Sequence, residues 1–515
     1  MRRAVIVVLA VLALLVIGVL SLSLCLPSLE GRTVSTVMRD TADTRLARAI
    51  APMVAAHPGE AGLVPLAGGR EAFAARALLA ETAEKTLDVQ YYIWHADVSG
   101  TLLFEALHRA ADRGVRVRLL LDDNNTSGLD ALLAALDAHE HIEVRLFNPF
   151  MHRRWRALGF ATDFSRLNRR MHNKSFTVDN QVTIVGGRNI GDEYFGAGQE
   201  LLFVDLDMMV LGPVVDEVSQ DFDRYWASAS SYPAGRILPP APPTDLAALA
   251  ESAERIGHDP AAHAYMQALA TLPFVRDLLA GTLPIHWAAT HLLSDDPAKG
   301  LGLAAPETLL PQRFAHALGE PQRTLGLVSP YFVPTATGVD YFGGLARRGV
   351  KVRIFTNSLE ATDVAAVHAG YAKRRRALLE AGVELYEMKR AATIVQVRDR
   401  GLPGSSGSSL HAKTFLVDRT RVFVGSFNVD PRSADLNTEM GVVIDSPFMA
   451  RQVATALAGA IPEAAYRVQL GESGALQWIK RENGVQHVYD EEPGAGVWRR
   501  LLVRVLAVLP IEWLL

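Results

Sequence analysis

The feature that most constrains this chain is a duplicated array of reactive residues. The first copy reads HNKSFTVD at residues 172–179 and continues, six residues later, with GGRN at 186–189. The second copy reads HAKTFLVD at 411–418 and continues, after the same spacing, with GSFN at 425–428. Two copies in the same order predict two units of similar fold, each of which ends in the same array.

Similar elements precede both copies. A strand-like segment, a helical stretch and a second strand occupy residues 87–120, and the same succession occupies residues 325–355. In each case a glycine that follows arginine ends the helix, as an ordinary C-terminal stop does. Strands that alternate with helices predict α/β layers with largely parallel strands.

The length of 515 residues favours more than one domain. The proline-rich segment 239–243 predicts a break between the two halves. The predicted divisions are an N-terminal transmembrane anchor (1–30), a first domain (31–235), a helical linking segment (236–310), a second domain (311–470) and a C-terminal segment (471–515).

The arrays have the residue types that phosphodiester chemistry needs. Histidine and lysine two residues apart on a strand project from the same face. One imidazole can attack phosphorus while a second protonates the departing alcohol. Lysine ammonium and asparagine amide groups can hold the nonbridging oxygens, and glycine allows the backbone to approach the phosphate closely. This chemistry requires neither a metal nor a cofactor, and the single cysteine, Cys25, excludes a cysteine-based metal site.

The two arrays resemble the signature of the phospholipase D superfamily, which is His-x-Lys-x4-Asp followed by Gly-Gly or Gly-Ser and then Asn. The resemblance implies two phospholipase D-like α/β sandwich domains related by a pseudo-twofold axis, which form one active site. It also implies that His172 or His411 becomes a phosphohistidine while the other serves as acid and then as base. Which histidine is the nucleophile stays open.

Family members use a downstream carboxylate to orient each histidine. Asp205 lies eight residues before Pro213 and Glu439 lies eight residues before Pro447, so this role is carried over to these two positions. Asp179 and Asp418 belong to the signature, although we expect them to brace hairpins rather than to take part in the chemistry. The candidate catalytic residues are His172, Lys174, His411, Lys413, Asp179, Asp418, Asp205 and Glu439. The candidate substrate-binding residues are Asn189, Asn428, Gly187 and Ser426.

The N-terminus predicts attachment to a membrane. An uncharged apolar run from residue 4 to 26 is about 34 Å long as a helix, enough to cross a bilayer. Arg2 and Arg3 favour a cytoplasmic N-terminus, which would place a single span in a bacterial inner membrane and the catalytic part in the periplasm. A cleaved signal peptide and lipidation at Cys25 stay open as alternatives. The basic and apolar C-terminal residues 498–506 predict either an interfacial helix or a helix docked on the core.

The substrate is predicted to be a phospholipid. The basic and aromatic stretch 150–170 suits an anionic headgroup surface, and the formal charge of −4 lacks the basic excess of a nucleic-acid enzyme, so no nucleic acid partner is expected. Residues 87–125 and 357–371 resemble bacterial cardiolipin synthases, those of the C type in particular. That resemblance implies transfer of a phosphatidyl group from phosphatidylethanolamine or phosphatidylglycerol to phosphatidylglycerol. A hydrolase that releases phosphatidic acid, a nuclease and a catalytically silent membrane-binding scaffold are the alternatives.

Two further features have open interpretations. The acidic and amide residues at 122–125 predict either a solvated turn at the end of a strand or a metal site. His368 either faces the substrate or packs in the core. Protein partners and oligomeric state are not indicated by the sequence.

Overall fold

The computed structural model describes residue 18 and residues 25–197, 204–242, 244–390, 410–482 and 484–515. The strands are β1 (Ala61–Leu66), β2 (Thr86–Ile93), β3 (Arg116–Asn125), β4 (Ile142–Phe147), β5 (Ser175–Val178), β6 (Val182–Gly186), β7 (Asp207–Leu211), β8 (Ser231–Pro233), β9 (His286–Ser294), β10 (Thr324–Val328), β11 (Lys351–Asn357), β12 (Glu384–Met388), β13 (Lys413–Val417), β14 (Arg421–Gly425), β15 (Met440–Asp445), β16 (Ala465–Leu470), β17 (Leu476–Glu482) and β18 (Val485–Tyr489). The helices are α1 (Arg45–Ala55), α2 (Gly69–Thr82), α3 (Val98–Asp112), α4 (Asp130–Asp137), α5 (Arg156–Thr162), α6 (Phe164–Leu167), α7 (Asp192–Phe195), α8 (Val214–Trp226), α9 (Thr244–His258), α10 (Pro260–Ala270), α11 (Pro273–Leu279), α12 (Leu310–Leu318), α13 (Thr335–Arg347), α14 (Ala365–Glu380), α15 (Pro447–Ala464) and α16 (Val497–Val508).

The two halves have the same strand order, which confirms the α/β fold with two repeated domains. The first sheet runs β4-β3-β2-β5-β6-β7 and the second runs β12-β11-β10-β13-β14-β15. Strand β9 pairs with both β1 and β15 and so connects the two sheets. Each duplicated array therefore occupies one antiparallel hairpin near the middle of its own sheet.

The expectation of largely parallel strands is wrong. Parallel pairing is confined to β2–β3–β4 and to β10–β11–β12, where helices provide the crossovers. The described strands that remain pair antiparallel, including the array hairpins β5–β6 and β13–β14. A two-residue turn can join only antiparallel strands, and the arrays contain such turns.

The two hairpin turns explain the aspartates of the arrays. Asp179 and Asn180 have φ of 51° and 52°, and Asp418 and Arg419 have φ of 52° and 58°. Two consecutive positive φ values are typical of the turn that matches the twist of a hairpin. The Asp179 carboxylate accepts hydrogen bonds from backbone N–H groups at the start of β2, with Lys85 at 2.8 Å and Thr86 at 2.9 Å.

Asp418 makes the equivalent contacts in the second half. Its carboxylate accepts from the backbone N–H groups of Arg323 at 2.7 Å and Thr324 at 2.8 Å, at the start of β10. Both aspartates make the contacts that the expected bracing role requires. They lie at the opposite end of their hairpins from the histidines, so their inclusion among the catalytic candidates is not supported.

Apolar side chains hold the two sheets against each other. Leu63, Val185 and Met208 of the first half share one buried cluster with Val424 and Met440 of the second half. Separate buried clusters lie between each sheet and its outer helices. The two hairpins are consequently fixed relative to each other by a continuous core rather than by a flexible joint.

The segment between the halves is helical from residue 244 to 279 and then continues into β9. Its helices pack on the first half, because Leu249, Tyr265 and Val275 belong to the outer core of that half. The N-terminal anchor predicted at 1–30 falls largely outside the described residues. Within the described residues, no helix is both long enough and apolar enough to cross a bilayer.

The C-terminal helix α16 is docked on the protein. Val503 is buried against α14, in a small cluster that also includes Leu506 and Ala507. The opposite side of α16 exposes a row of large apolar side chains: Val497, Trp498, Leu501, Leu502, Val505 and Val508. The structure therefore matches the docked alternative, and the outer face of the docked helix stays apolar.

Candidate active site

The two array histidines lie where the halves meet, and each is bound to a carboxylate of the opposite half. Nδ1 of His172 lies 2.8 Å from Oε2 of Glu439. Nδ1 of His411 lies 2.6 Å from Oδ2 of Asp205. The two carboxylates predicted to orient histidines do contact them, but across the interface rather than within one half.

Backbone contacts between the halves create this crossed arrangement. The N–H of His172 donates to the carbonyl of Thr438 at 2.9 Å, directly before Glu439. The N–H of His411 donates to the carbonyl of Val204 at 2.9 Å, directly before Asp205. Each histidine is thereby placed beside its carboxylate by the main chain, and the side-chain contact follows from that placement.

Both imidazoles are held in the neutral form. Burial, together with the charges of Lys174 and Lys413, lowers the pKa of His172 well below its usual value. Burial and the charge of Lys413 lower the pKa of His411 to about 3. A neutral imidazole that donates its Nδ1–H to a carboxylate carries its lone pair on Nε2, which is the form that a nucleophile or a base requires. At His411 the ammonium of Lys413 lies 3.1 Å from that Nε2.

The two array lysines lie beside these imidazoles. The ammonium of Lys174 donates to the carbonyl of His172 at 2.6 Å, and that of Lys413 donates to the carbonyl of His411 at 2.6 Å. Burial lowers the pKa of Lys413 to about 8, and burial and the charge of Lys413 lower the pKa of Lys174 well below its usual value. Two neighbouring buried cations create a strong local preference for an anion such as a phosphodiester.

The two carboxylates have different environments. Burial raises the pKa of Asp205, but His411 and Lys413 lower it more, so the net shift is below the usual value. Burial raises the pKa of Glu439 to about 7, although Lys174 and Ser426 act in the opposite direction. The Asp205 carboxyl group is therefore ionised at neutral pH, while the Glu439 carboxyl group is close to the midpoint of its titration.

The residues that follow the returning strands β6 and β14 fit the size of the carboxylate side chain beside them. The hydroxyl of Ser426 donates to Oε2 of Glu439 and also receives the N–H of Met440 at 3.0 Å. At the equivalent position Gly187 has no side chain, and a Cβ there would collide with the Asp205 carboxylate. The longer glutamate is paired with serine and the shorter aspartate with glycine.

The two array asparagines are both buried but are bound differently. Oδ1 of Asn189 accepts from the N–H of Ile93 at 3.2 Å, and its Nδ2 donates to the hydroxyl of Tyr194 at 2.9 Å. Oδ1 of Asn428 has no hydrogen-bond partner among the described residues. The Asn189 amide thus positions Tyr194, whereas the Asn428 amide retains an uncommitted group.

Two aromatic rings of the site were missed by the sequence analysis. Tyr92 packs edge-on against His172 with ring centroids 5.0 Å apart. Tyr194 packs edge-on against His411 with ring centroids 5.1 Å apart. Tyr92 is the penultimate residue of β2, the strand that pairs with the first hairpin, so its place in that strand is the signal that could have indicated it.

The acidic residues at 122–125 match neither interpretation of that segment. Asp122 is buried and accepts from Nε of Arg170 at 2.9 Å and from the N–H of Met171 at 2.7 Å. Asp123 is also buried and accepts from the N–H of Phe150 at 2.7 Å as well as from Arg153. The segment is a buried ion-pair network that supports the loop before His172, and not a solvated turn or a metal site.

The basic stretch 150–170 also differs from the expectation. Five of its arginines bond to carboxylates or carbonyl groups of the protein itself: Arg153, Arg156, Arg166, Arg169 and Arg170. The exposed large apolar side chains of this stretch are Trp155, with 64% of its surface accessible, and Phe164, with 46%, and Arg154 beside Trp155 is exposed as well. Any contact with a headgroup surface would therefore be made by these two aromatic residues and Arg154.

His368 has the packing role rather than the substrate-facing one. It is buried, and its Nε2 lies 2.8 Å from Oε1 of Glu492. Among the described residues, two groups combine the ligand types that metals prefer: His95 with Asp97 and Glu193, and His108 with Asp112 and His139. Neither group includes a residue of the duplicated arrays.

Comparison with known proteins agrees with this geometry. A family model described as "Cardiolipin synthase, PLD-like domain" matches residues 78–226 and 314–459. The chain belongs to this cardiolipin synthase family of phospholipase D-like proteins. Each of the two matched segments contains one complete array, so the family assignment covers both histidines.

Individual relatives support the same assignment. The chain is 53% identical over 475 residues to cardiolipin synthase C of Escherichia coli (strain K12), covering 92% of this chain and 100% of that protein. It is 25% identical over 415 residues to cardiolipin synthase A of Edwardsiella ictaluri (strain 93-146), covering 78% of this chain and 68% of that protein. The crystal structure of phosphatidylserine synthase from Haemophilus influenzae Rd KW20 superposes with a TM-score of 0.57 at 14% identity, covering 92% of this chain and 100% of that chain, and shows the shared fold.

Proposed function

We propose that this family member is a cardiolipin synthase, which transfers a phosphatidyl group between phospholipids through a phosphohistidine intermediate. The observation that carries the proposal is the crossed pair of histidine–carboxylate contacts around two buried lysines. The similarity to cardiolipin synthase C over the whole length of that protein supports the choice of substrate class.

In the first half-reaction Nε2 of one histidine attacks the phosphorus of the donor lipid. A nitrogen–phosphorus bond forms, the bond from phosphorus to the headgroup oxygen breaks, and the other histidine gives its proton to that oxygen. The negative charge of the bound phosphodiester raises the pKa of both imidazoles, so the one that does not attack can hold the second proton. The two ammonium groups neutralise the charge that develops on the nonbridging oxygens.

In the second half-reaction the alcohol of phosphatidylglycerol enters the place of the departed headgroup. The histidine that acted as acid now takes the proton of this hydroxyl, whose oxygen attacks phosphorus. The nitrogen–phosphorus bond breaks, and cardiolipin leaves with the imidazole restored. We propose phosphatidylethanolamine or phosphatidylglycerol as the donor, and either His172 or His411 as the nucleophile. Water in place of the alcohol would give phosphatidic acid, the product of the alternative hydrolase.

A lipid-product assay tests the proposal. Purified protein is incubated with labelled phosphatidylglycerol, with and without phosphatidylethanolamine, and labelled cardiolipin is expected. Phosphatidic acid as the sole product would indicate the hydrolase, and cleaved DNA with unchanged lipids would indicate the nuclease. A protein that leaves lipid and DNA unchanged would be a scaffold.

Variants show whether the product comes from this site. His172→Ala and His411→Ala are each expected to lower turnover by about 10³-fold or more, because nucleophile and acid act as one unit. His108→Ala is the matched control, since His108 lies on the outer helix α3 and outside the site. Near-normal turnover in either array variant would contradict a shared site.

Association with a membrane is also part of the proposal. The apolar run at 4–26 would anchor the chain in a bacterial inner membrane, with the catalytic part in the periplasm. The rest of the chain would divide into a first domain (31–235), a helical linking segment (236–310), a second domain (311–470) and a C-terminal segment (471–515). The exposed apolar face of α16 supports a second contact with lipid. This helix is connected to the loop before α14, because Arg499 donates to the carbonyl of Thr362 in that loop.

A further inference from the structure

A tyrosine and a carboxylate near the lysines have no role in the chemistry described above. The hydroxyl of Tyr331 lies 2.9 Å from Oδ1 and 2.8 Å from Oδ2 of Asp363, so the tyrosine holds both carboxylate oxygens. Both side chains are half-buried, which leaves part of the pair open to solvent. Within the described part of the chain, no salt bridge joins Asp363 to a lysine or an arginine.

The pair lies at the candidate active site. Nδ2 of Asn357 donates to the carbonyl of Leu410 at 3.2 Å, directly before His411, and to the carbonyl of Pro330 at 3.5 Å, directly before Tyr331. Phe332, the residue after Tyr331, pairs with Val429, the residue after the array asparagine Asn428. Tyr331 follows β10, the strand that pairs with the second hairpin, so the chain trace also places it at this end of the sheet.

A carboxylate at this place works against the binding of phosphate. Burial raises the pKa of Asp363, yet the site gives it a hydroxyl partner rather than a cation. Like charges near each other are unfavourable, and more so where water is largely excluded. The group that Asp363 favours must instead donate a hydrogen bond or carry positive charge. In a phospholipid those groups belong to the headgroup alcohol and not to the phosphate.

We propose that Tyr331 and Asp363 form the headgroup subsite, in which the Asp363 carboxylate accepts a hydrogen bond from the alcohol part of a substrate lipid. The inference rests on the function proposed above and names the part of the substrate that this pair binds. Two headgroups have suitable donors, the hydroxyl groups of glycerol and the ammonium of ethanolamine. Tyr331 acts on the substrate through Asp363, because its hydroxyl fixes the orientation of the carboxylate.

The subsite would determine whether an alcohol or water reaches the phosphohistidine. An alcohol held by one hydroxyl on Asp363 can present its other hydroxyl to phosphorus, whereas water gains nothing from that contact. Loss of the contact should therefore lower transfer more than hydrolysis. A charged hydrogen bond of this kind corresponds to a change of roughly 10- to 100-fold in the ratio of the two products.

Labelled glycerol serves as a soluble acceptor in the test. Asp363→Asn and Tyr331→Phe are assayed with phosphatidylglycerol or phosphatidylethanolamine as the donor, and both incorporation of glycerol and release of phosphatidic acid are measured. The matched controls are Asp340→Asn and Tyr341→Phe, two exposed residues of the neighbouring helix α13. If the subsite binds the glycerol diol, the KM for glycerol rises and the product ratio falls with both donors.

The other outcomes are equally distinct. If the subsite binds the ammonium group, the variants consume phosphatidylethanolamine more slowly but retain the wild-type product ratio with phosphatidylglycerol. Transfer and hydrolysis that fall together with both donors, or that stay at the level of the controls, would overturn the inference. A wild-type protein that forms no transfer product with either donor would contradict the proposed function itself, whatever the variants do.

Discussion

Nδ1 of His172 lies 2.8 Å from Oε2 of Glu439, although 267 positions separate the two residues in the sequence. The second pair has the halves exchanged: Nδ1 of His411, in the second half, lies 2.6 Å from Oδ2 of Asp205, in the first half. Each half therefore supplies a histidine that is oriented by the other half. A catalytic pair cannot be completed by either domain alone, which gives a physical reason for both arrays to be intact in one chain.

The crossed carboxylates predict a large loss of activity when their charge is removed. Glu439→Gln and Asp205→Asn retain an oxygen that can accept from Nδ1, but they remove the charge that stabilises an imidazolium. We expect turnover to fall by about 10²- to 10⁴-fold in each variant. The measurement is the rate of cardiolipin formation, with the cooperative unfolding transition as the control for folding. Variants that keep more than a tenth of the wild-type rate would show that the carboxylates are not needed in the chemical step.

The pairing of Gly187 with Asp205 and of Ser426 with Glu439 predicts unequal effects of two substitutions. Gly187→Ala places a methyl group against the Asp205 carboxylate, so we expect a loss of both stability and activity. Ser426→Ala removes one hydrogen bond to Glu439 and lowers stability by about 1–3 kcal/mol. Denaturant unfolding of both variants measures the difference. Equal and small effects would contradict the steric argument.

The buried lysines predict a conflict between stability and function. Burial lowers the pKa of Lys413 from 10.5 to about 8. A depressed lysine pKa means that the folded state binds fewer protons between these values, so the stability present above pH 10.5 is lost as the pH falls to about 8. Lys413→Met removes this cost. We expect the free energy of unfolding of the variant at pH 7 to be about 2 kcal/mol higher than that of the wild-type protein, after allowance for the hydrogen bond lost at the His411 carbonyl.

The sign of this effect can be measured by denaturant unfolding at several pH values. The advantage of Lys413→Met should be full below pH 8 and should decrease as the pH rises above it. Turnover should be lost at every pH, because the variant has no ammonium to hold the phosphate. Lys351→Met is the matched control, since Lys351 is exposed at the start of β11. An advantage that grows as the pH rises would contradict the assignment of the cost to a buried cation.

Much of the hairpin chemistry was predictable, because it depends on local spacing. Three features lie within about twenty residues and together indicate a hairpin. They are a histidine and a lysine two residues apart, a two-residue turn, and a glycine on the returning strand. The contacts between the halves were not predictable in this way. Asp205 and Glu439 were identified by their equal distance from a proline, but that distance says nothing about which histidine each one meets.

Burial was harder to predict than strand position. Asp122 lies in a polar segment that is typical of a solvated turn. Its contact with Arg170, 48 positions later, makes it part of a buried network. Asp123 has the same effect on Arg153 and Arg156, which face inward to reach its carboxylate. Long-range ion pairs of this kind leave no periodic signal, so charged stretches are easily taken for exposed surface.

The exposed face of α16 predicts a measurable contribution to membrane binding. Trp498 has 82% of its surface accessible, and Leu502 has 48%. Burial of such side chains in lipid stabilises the bound state by roughly 1.5–3 kcal/mol each. We expect Trp498→Ser combined with Leu502→Ser to weaken binding to vesicles of phosphatidylglycerol and phosphatidylethanolamine by at least about tenfold. Co-sedimentation of the protein without residues 1–26 isolates this contribution from that of the apolar run.

A matched substitution away from α16 provides the control. Leu303→Ser changes a side chain that is 74% accessible and lies outside the C-terminal helix, so it should bind vesicles as the parent protein does. Because Arg499 connects α16 to the loop beside Asp363, weaker binding should also lower turnover on vesicles more than turnover on lipids dissolved in detergent. Equal losses in vesicles and in detergent would mean that the substitutions damage the site itself, and unchanged binding would mean that this face does not contact lipid.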